Sequence, residues 1–136
     1  MRKFYTILIF FLFTVLSQAQ IVTIPDANFK AKLLNYYPVI DTNNDGEIQV
    51  SEAQTVITLD LVIGYSINDI TGLEAFINLE NLYLNSTNLL TIDVSMLTNL
   101  KIFSCSSLYS ITNINVTNLS NLHTLIVISL NLTVES

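Results

Sequence analysis

Apolar residues in the second half of this chain return at a long, nearly constant interval. In the stretch Asn78 to Leu100, NLENLYLNSTNLLTIDVSMLTNL, the apolar frame is Leu79, Leu82, Leu84 and Leu89. Three other stretches copy it: Val56, Leu59, Leu61 and Ile67; Leu100, Phe103, Cys105 and Ile111; Leu122, Leu125, Val127 and Leu132. Successive frames start 23, 21 and 22 residues apart. The later half of each unit repeats as well. Ile70, Ile92 and Ile114 lie three residues past the last frame position, and Phe76, Leu97 and Leu119 close each turn. A unit this short cannot bury its apolar side alone, so neighbouring copies must stack and share one core.

The L-x-x-L-x-L opening and the interval of about 20–29 residues are those of a leucine-rich repeat, in which the opening forms a short strand. Alternate side chains of a strand point to opposite faces. The frame residues therefore turn inward, while Thr58/Asp60/Val62, Asn81/Tyr83/Asn85, Ile102/Ser104/Ser106 and Thr124/Ile126/Ile128 turn outward. Among these, Asp60, Asn81, Tyr83, Asn85, Ser104 and Ile126 form the candidate ligand-binding face. The asparagine usual at the ninth repeat position is replaced by Gly64, Thr87, Leu108 and Leu130, so the turn backbones must find hydrogen-bond partners elsewhere.

The segment ahead of the repeats has a different pattern. Pro25-Asp26 opens a helix with Asp26 as its cap, and Phe29, Leu33 and Leu34 give it one apolar side. It is expected to run to Tyr36, with Pro38 as the stop. Next, Asp41 to Glu52 satisfies D-x-[DN]-x-[DN]-G-x5-E at every specified position. A Ca2+ ion takes roughly six to eight hard oxygen ligands in a flexible shell, which a loop of this length can wrap around it. Asp41, Asn43 and Asp45 would offer side-chain oxygens, Glu47 its carbonyl, Gln49 a water-mediated contact and Glu52 both carboxylate oxygens. Gly46 permits the sharp turn and Ile48 ties the loop to the core. Pro38 breaks the incoming helix just ahead of the loop, and no second loop is present to pair with this one. Ser51 to Thr55 has room only for a short helix before the first strand.

Three segments follow: a signal peptide over 1–19, a helical cap with a calcium loop over 20–55, and repeats over 56–136. Arg2 and Lys3 precede an apolar run from Phe4 to Leu16, and Ser17-Gln18-Ala19 is a small-x-small cleavage site. The run falls short of the roughly 20 residues that span a bilayer, so stable membrane insertion is not expected after its removal, and the address is secreted or cell-surface. The rest of the chain sets three lysines against eleven carboxylates, a formal charge of −8. That charge repels nucleic acid and anionic membranes. Cys105, the only cysteine, sits in a frame position and reads as a small buried hydrophobe.

With cap, loop and repeats in view, the chain resembles the secreted leucine-rich repeat proteins of Bacteroidetes and, more distantly, the internalins. The residues that carry this are Ile24 to Lys30, the loop Asp41 to Glu52, Ser51-Glu52-Ala53, and Asn78-Leu79-x-x-Leu82-x-Leu84 with its copies at Asn99-Leu100 and Asn121-Leu122. The resemblance implies an EF-hand-like cap that shields the first repeat and a concave strand face that binds a partner. The expected fold class is thus α/β: a short leucine-rich repeat solenoid of parallel strands, about four repeats long, with a small helical EF-hand-like N-terminal cap.

The function expected is binding of a protein or glycan on that face, with Ca2+ as a structural cofactor. Catalysis is not expected, since the single His123 has no triad, carboxylate pair or zinc cluster around it in sequence. A dockerin-like plug would carry a second calcium loop. The alternative is a truncated, non-functional fragment of a longer surface adhesin, suggested by an end that falls inside a repeat. Leu122 to Val134 has no proline and no formal charge, so self-association through the last repeat is expected.

Overall fold

The computed structural model describes residues 20–61, 66–85, 88–108, 111–129 and 133–135. The predicted signal peptide lies outside these residues, as do Val62, Gly64, Thr87, Leu130 and Leu132. The long interval in the sequence becomes strand register. Strands β1 (Thr58–Leu61), β2 (Asn81–Asn85), β4 (Ile102–Leu108) and β6 (Thr124–Ser129) form a parallel sheet in that order. Leu59 stands opposite Leu82, Leu82 opposite Phe103, and Phe103 opposite Leu125, so one residue of the frame recurs in one row. Each turn therefore lies on the previous one with its apolar side chains aligned.

A second parallel sheet lines the return half of the turns. Strands β3 (Thr91–Asp93), β5 (Asn113–Asn115) and β7 (Thr133–Glu135) pair in that order, with Ile92, Ile114 and Val134 in one row. Each is a polar–apolar–polar triplet. The sequence signal of these strands is a single apolar residue, too short for an alternation argument to find. Leu59, Leu82, Phe103, Phe76, Leu79, Leu97 and Leu100 are all fully buried in one core. Each such side chain contributes about 1.5–3 kcal/mol of transfer free energy. The result is a small α/β fold of repeated parallel turns.

Asparagines one residue ahead of the second, third and fourth frames bond the backbone of the preceding turn. Asn78 Nδ2 donates to the Gln54 carbonyl (2.8 Å), Asn99 Nδ2 to Ile77 (3.0 Å) and Asn121 Nδ2 to Thr98 (2.9 Å). Each asparagine thus reaches back one turn. On the opposite side the Asp69, Asp93 and Asn115 carboxyl or amide oxygens accept both the N–H and the hydroxyl of Thr71, Ser95 and Thr117. These local turns hold the chain where it bends out of the sheets.

The cap closes the first turn. Helix α1 (Ala27–Leu34) starts at Asp26, whose carboxylate accepts the N–H groups of Asn28 and Phe29. It ends two residues earlier than expected, because Asn35 turns its amide back onto the Ala31 carbonyl at 2.7 Å. Helix α2 (Val50–Ala53) begins one residue earlier than expected, with Gln49 as its cap. The released Tyr36 is used elsewhere: its hydroxyl donates to the Thr58 carbonyl (3.3 Å) and accepts the Asp60 N–H (2.8 Å). One side chain thereby fills the hydrogen-bonding edge of β1 that a neighbouring strand would otherwise take. The segment 22–24 packs against Gly72, where a β-carbon would stand 2.8 Å from Ile24 Cγ1 and 2.9 Å from the Thr23 carbonyl oxygen. Gly72 also has φ of 103°, a conformation other residues resist.

The fourth turn departs from the expected core. Leu125, in register with the fully buried Phe103, is 40% exposed, and Leu122 and Val127 are only partly buried. A frame residue is covered from both sides by neighbouring turns, and among the described residues β6 has a neighbour on one side only.

Two substitutions separate the contributions. Asn99→Ala removes one exposed inter-turn hydrogen bond and is expected to cost about 1 kcal/mol. Gly72→Ala meets both the left-handed backbone and the Ile24 contact, and is expected to cost about 1–3 kcal/mol from the backbone alone. Denaturant unfolding that ranks Asn99→Ala as the more damaging would contradict this division.

Candidate functional site

The loop Asp41 to Glu52 is built by its own acceptors. Asp41 Oδ1 accepts the Asp45 N–H (3.2 Å) and Oδ2 the Gly46 N–H (3.0 Å). Asn43 Oδ1 accepts from Asp45 N at 3.0 Å, and Asp45 Oδ1 from Glu47 N at 2.9 Å. These short-range bonds wind the chain around the side chains, and Gly46 at φ of 80° supplies the reversal. Ile48 is fully buried and anchors the loop, as its position in the sequence predicts.

The polar residues of the loop converge. Asp41, Gln49 and Glu52 are buried, and Gln49 Nε2 donates to Asp45 Oδ2 at 2.8 Å. Asn43 Nδ2 donates to Asp45 Oδ2 (2.9 Å) and to Gln49 Oε1 (3.2 Å). Glu47 points away, its carboxylate paired with Lys30 Nζ at 2.6 Å, which leaves its role to the backbone carbonyl. Glu52 is committed to the protein: Oε1 accepts from Thr42 N and Oγ1, both at 2.7 Å, and Oε2 accepts from Gln49 N at 3.1 Å. Among the described residues no three acidic, histidine or cysteine side chains stand together as a metal cluster. The donor set is still one of hard oxygens, and a carboxylate has roughly four lone-pair directions, of which Asp41 uses two. To hold a calcium ion here, Glu52 would have to exchange its Thr42 contacts for the ion.

A partner for the loop exists where the sequence shows no second loop. Ile21 and Gln49 form an antiparallel bridge, with Val22 N donating to the Ile48 carbonyl and Val50 N to the Gln20 carbonyl, each at 2.8 Å. Residues 20–22 thus do for this loop what a second loop does in a pair. The sequence signal was only that Ile21 and Val22 are apolar.

The outward face of the four-stranded sheet brings the other candidate residues together. Strand register aligns Thr58, Asn81, Ile102 and Thr124 in one row and Asp60, Tyr83, Ser104 and Ile126 in the next. A third row continues from Asn85 through Ser106 to Ile128. Tyr83 sits in the middle, half-buried between Asp60 and Ser104. The face changes along the stack, polar at β1 and β2 and aliphatic at β6. Beside it, Tyr36, Tyr37, Pro38, Val39 and Ile57 line an open cleft of about 790 Å³ between cap and β1. The cleft was not legible in the sequence, because it exists only where the cap meets the first turn. His123 is exposed, with Nδ1 3.3 Å from the Asn121 carbonyl oxygen. Cys105 is buried and its thiol is pushed up to about 12 by that burial, which makes it inert.

No family model matches the chain, and no curated protein matches it. Among solved structures, the internalin InlF of Listeria monocytogenes is 23% identical with a TM-score of 0.56, over 82% of this chain and 33% of that one. A chain of Clostridium perfringens ZmpB, described as CBM51-2 in complex with GlcNAc and INT domains, is 22% identical with a TM-score of 0.53. That match covers 73% of this chain and 20% of the other. This chain therefore spans a third and a fifth of the length of these two. At such identity the likeness concerns the fold, which is internalin-like.

Acid sensitivity follows from the cap. Burial raises the Asp26 and Glu52 carboxyls, but the N–H groups they accept outweigh it and hold both below the usual range. A carboxyl whose folded pKa is lowered adds stability above its unfolded value of about 4, and that stability is lost as pH falls through the folded value. The melting temperature should hold steady to about pH 5 and decline below about pH 4. Asp26→Asn should start lower and decline less steeply. Equal slopes for the two proteins in a pH series would show that Asp26 carries none of the effect.

Proposed function

We propose that this chain is an exported leucine-rich repeat binding protein that takes a protein or glycan on the outward, concave face of its four-stranded sheet, with calcium as a structural ion in the cap loop. The observation that carries this reading is the alignment of Asp60, Tyr83, Ser104 and Ile126 across four strands. A rigid sheet presenting an aromatic ring between a carboxylate and a hydroxyl offers stacking and directed hydrogen bonds at little entropic cost. Asn81 and Asn85 flank Tyr83 on the same strand, and Asn81 Nδ2 already bonds Thr58 Oγ1 at 3.0 Å, which fixes it in place. The internalin-like fold supports a binding scaffold, and the ligand-bearing surface is read from this chain's own side chains.

Calcium in this reading stabilises the cap and does not switch it. Residues 20–22 and Lys30 hold the loop from outside, so it has no free helix to swing. The ion would neutralise the charges of Asp41, Asp45 and Glu52, with Asn43, the Glu47 carbonyl and a water-mediated contact from Gln49 as the further oxygen ligands.

Two measurements test these parts. Binding of the mature chain to a glycan or protein array should fall about tenfold or more for Tyr83→Ala, the central residue. Retention by Tyr83→Ala of full binding to every captured ligand would move the site off this face. Calcium at ~100 times its dissociation constant should add about 2.7 kcal/mol to stability. Because Glu52 also bonds Thr42 and Gln49, Glu52→Gln should melt lower even without calcium, and the decisive quantity is the calcium-dependent increment, which should vanish. An unchanged wild-type melt in millimolar calcium would remove the ion from the account.

A further inference from the structure

The inner strands β2 and β4 have a paired strand on each side, and their outward residues Asn81, Tyr83, Asn85, Ile102, Ser104 and Ser106 are all partly buried. Five of these six end in an amide or a hydroxyl, and none carries a formal charge. The core of a protein–protein interface is apolar, enriched in aromatic residues, Met and Arg and depleted in Ser. A saccharide presents the complementary surface: hydroxyls that donate and accept, and apolar ring faces. Amide and hydroxyl side chains also donate and accept, and an aromatic ring covers an apolar ring face.

Charge narrows the class. The chain has a formal net charge of −6, which repels an acidic glycan. Lys30 and Lys101 are taken by Glu47 and Glu80, and Lys32 lines the cleft between cap and β1 together with the opposite charge of Asp60.

That cleft continues the outward face. Thr58 and Asp60 belong to both, since they begin the outward rows and also line the cleft. The Tyr36 hydroxyl, bonded to the Thr58 carbonyl and the Asp60 N–H, pins the end of the cap against β1 and so fixes the two walls. Tyr37, the next residue, lines the cleft and is 90% exposed, a ring that the core does not use. Asn35 lines it too, and its Nδ2 donates one hydrogen to the Ala31 carbonyl. An amide nitrogen carries a second. The cleft volume of about 790 Å³ lies within the roughly 300–1,000 Å³ of small-ligand sites.

We propose that the ligand of the outward face is a neutral glycan and that the cleft is its end subsite, with one sugar ring stacked on Tyr37 and its hydroxyls bonded by Asp60 and Asn35. This rests on the outward face being the binding surface. From Asp60 the remaining sugars follow the row to Tyr83 and Ser104, which stand in register beside it. The two tyrosines therefore serve separate subsites of one ligand.

An array of neutral oligosaccharides beside their sulfated and uronic-acid counterparts, followed by calorimetry with the neutral oligosaccharide that binds tightest, tests this. Tyr37→Ala and Tyr83→Ala should each weaken that oligosaccharide about tenfold or more. Tyr37→Phe keeps the ring and should bind as the wild type does. Because Tyr37 is exposed, the melt of Tyr37→Ala should match that of the wild type. Glycan binding that falls for Tyr83→Ala but is indifferent to Tyr37→Ala would remove the cleft from the site and leave the face in place. A loss for Tyr37→Phe equal to that for Tyr37→Ala would overturn the stacking. Capture of acidic glycans alone, or of no glycan while a protein array yields a ligand sensitive to Tyr83→Ala, would overturn the proposal and keep the face. The absence of any ligand sensitive to Tyr83→Ala on either array would overturn both.

Discussion

Turn-to-turn registry is the constraint on which the rest of this structure depends. In a parallel coil the backbone groups of one turn find partners in the next, so a turn out of step leaves buried amides unpaired and apolar side chains facing water. Here registry is enforced by the aligned apolar rows and, at the turn entrances, by single carbonyls shared between adjacent amides. The Ile57 carbonyl accepts from Glu80 and Asn81, that of Glu80 from Lys101 and Ile102, and that of Lys101 from His123 and Thr124. The Lys101–Glu80 ion pair at 2.7 Å ties the same two turns on the outside. It is half-exposed and contributes little by itself.

Registry also lays out the outward face of the sheet. Residues scattered over more than sixty positions, from Asp60 to Ile126, become neighbours because each sits at the same place in its turn. The outward face of the sheet is therefore a by-product of the core: what fixes Leu59 opposite Leu82 also fixes Asp60 opposite Tyr83. The cap adds a termination. Asp26 joins the two, because its carboxylate caps α1 and also accepts the Asn68 N–H from the first turn at 2.9 Å. Removing the cap would expose both the β1 edge and the row of Leu59.

What could be read in the sequence were features that recur or that match a complete local motif. The frame at Leu59, Leu82 and Phe103 is one, and its spacings reappear as the observed register. The helix cap at Asp26 and the buried Ile48 are others, each set by local chemistry. What escaped were contacts between distant segments that carry one residue each. The use of Tyr36 as an edge plug, the Ile21–Gln49 bridge and the seat of Thr23 and Ile24 on Gly72 leave no periodic trace. The asparagine ladder was present in the sequence as Asn78, Asn99 and Asn121, always before the frame leucine, but its meaning appears only when the carbonyl of the turn below is in view. Leu125 shows the opposite failure. Its pattern is that of a core residue, and exposure at the end of a stack is a property of neighbours that a frame does not contain.

The central claim is that cap and coil form one cooperative unit, joined through residues 20–24, Asp26 and Tyr36. Native-state hydrogen exchange on the mature chain tests it most directly. The amides of Val22, Val50 and Asn68, each bonded between cap and neighbouring segment, should open with the same free energy as those of β1, and the inner strands β2 and β4 should be at least as well protected. Exchange of the three cap-linked amides at a free energy far below that of β1, with β1 still fully protected, would show that the cap is an appendage and that the coil closes without it.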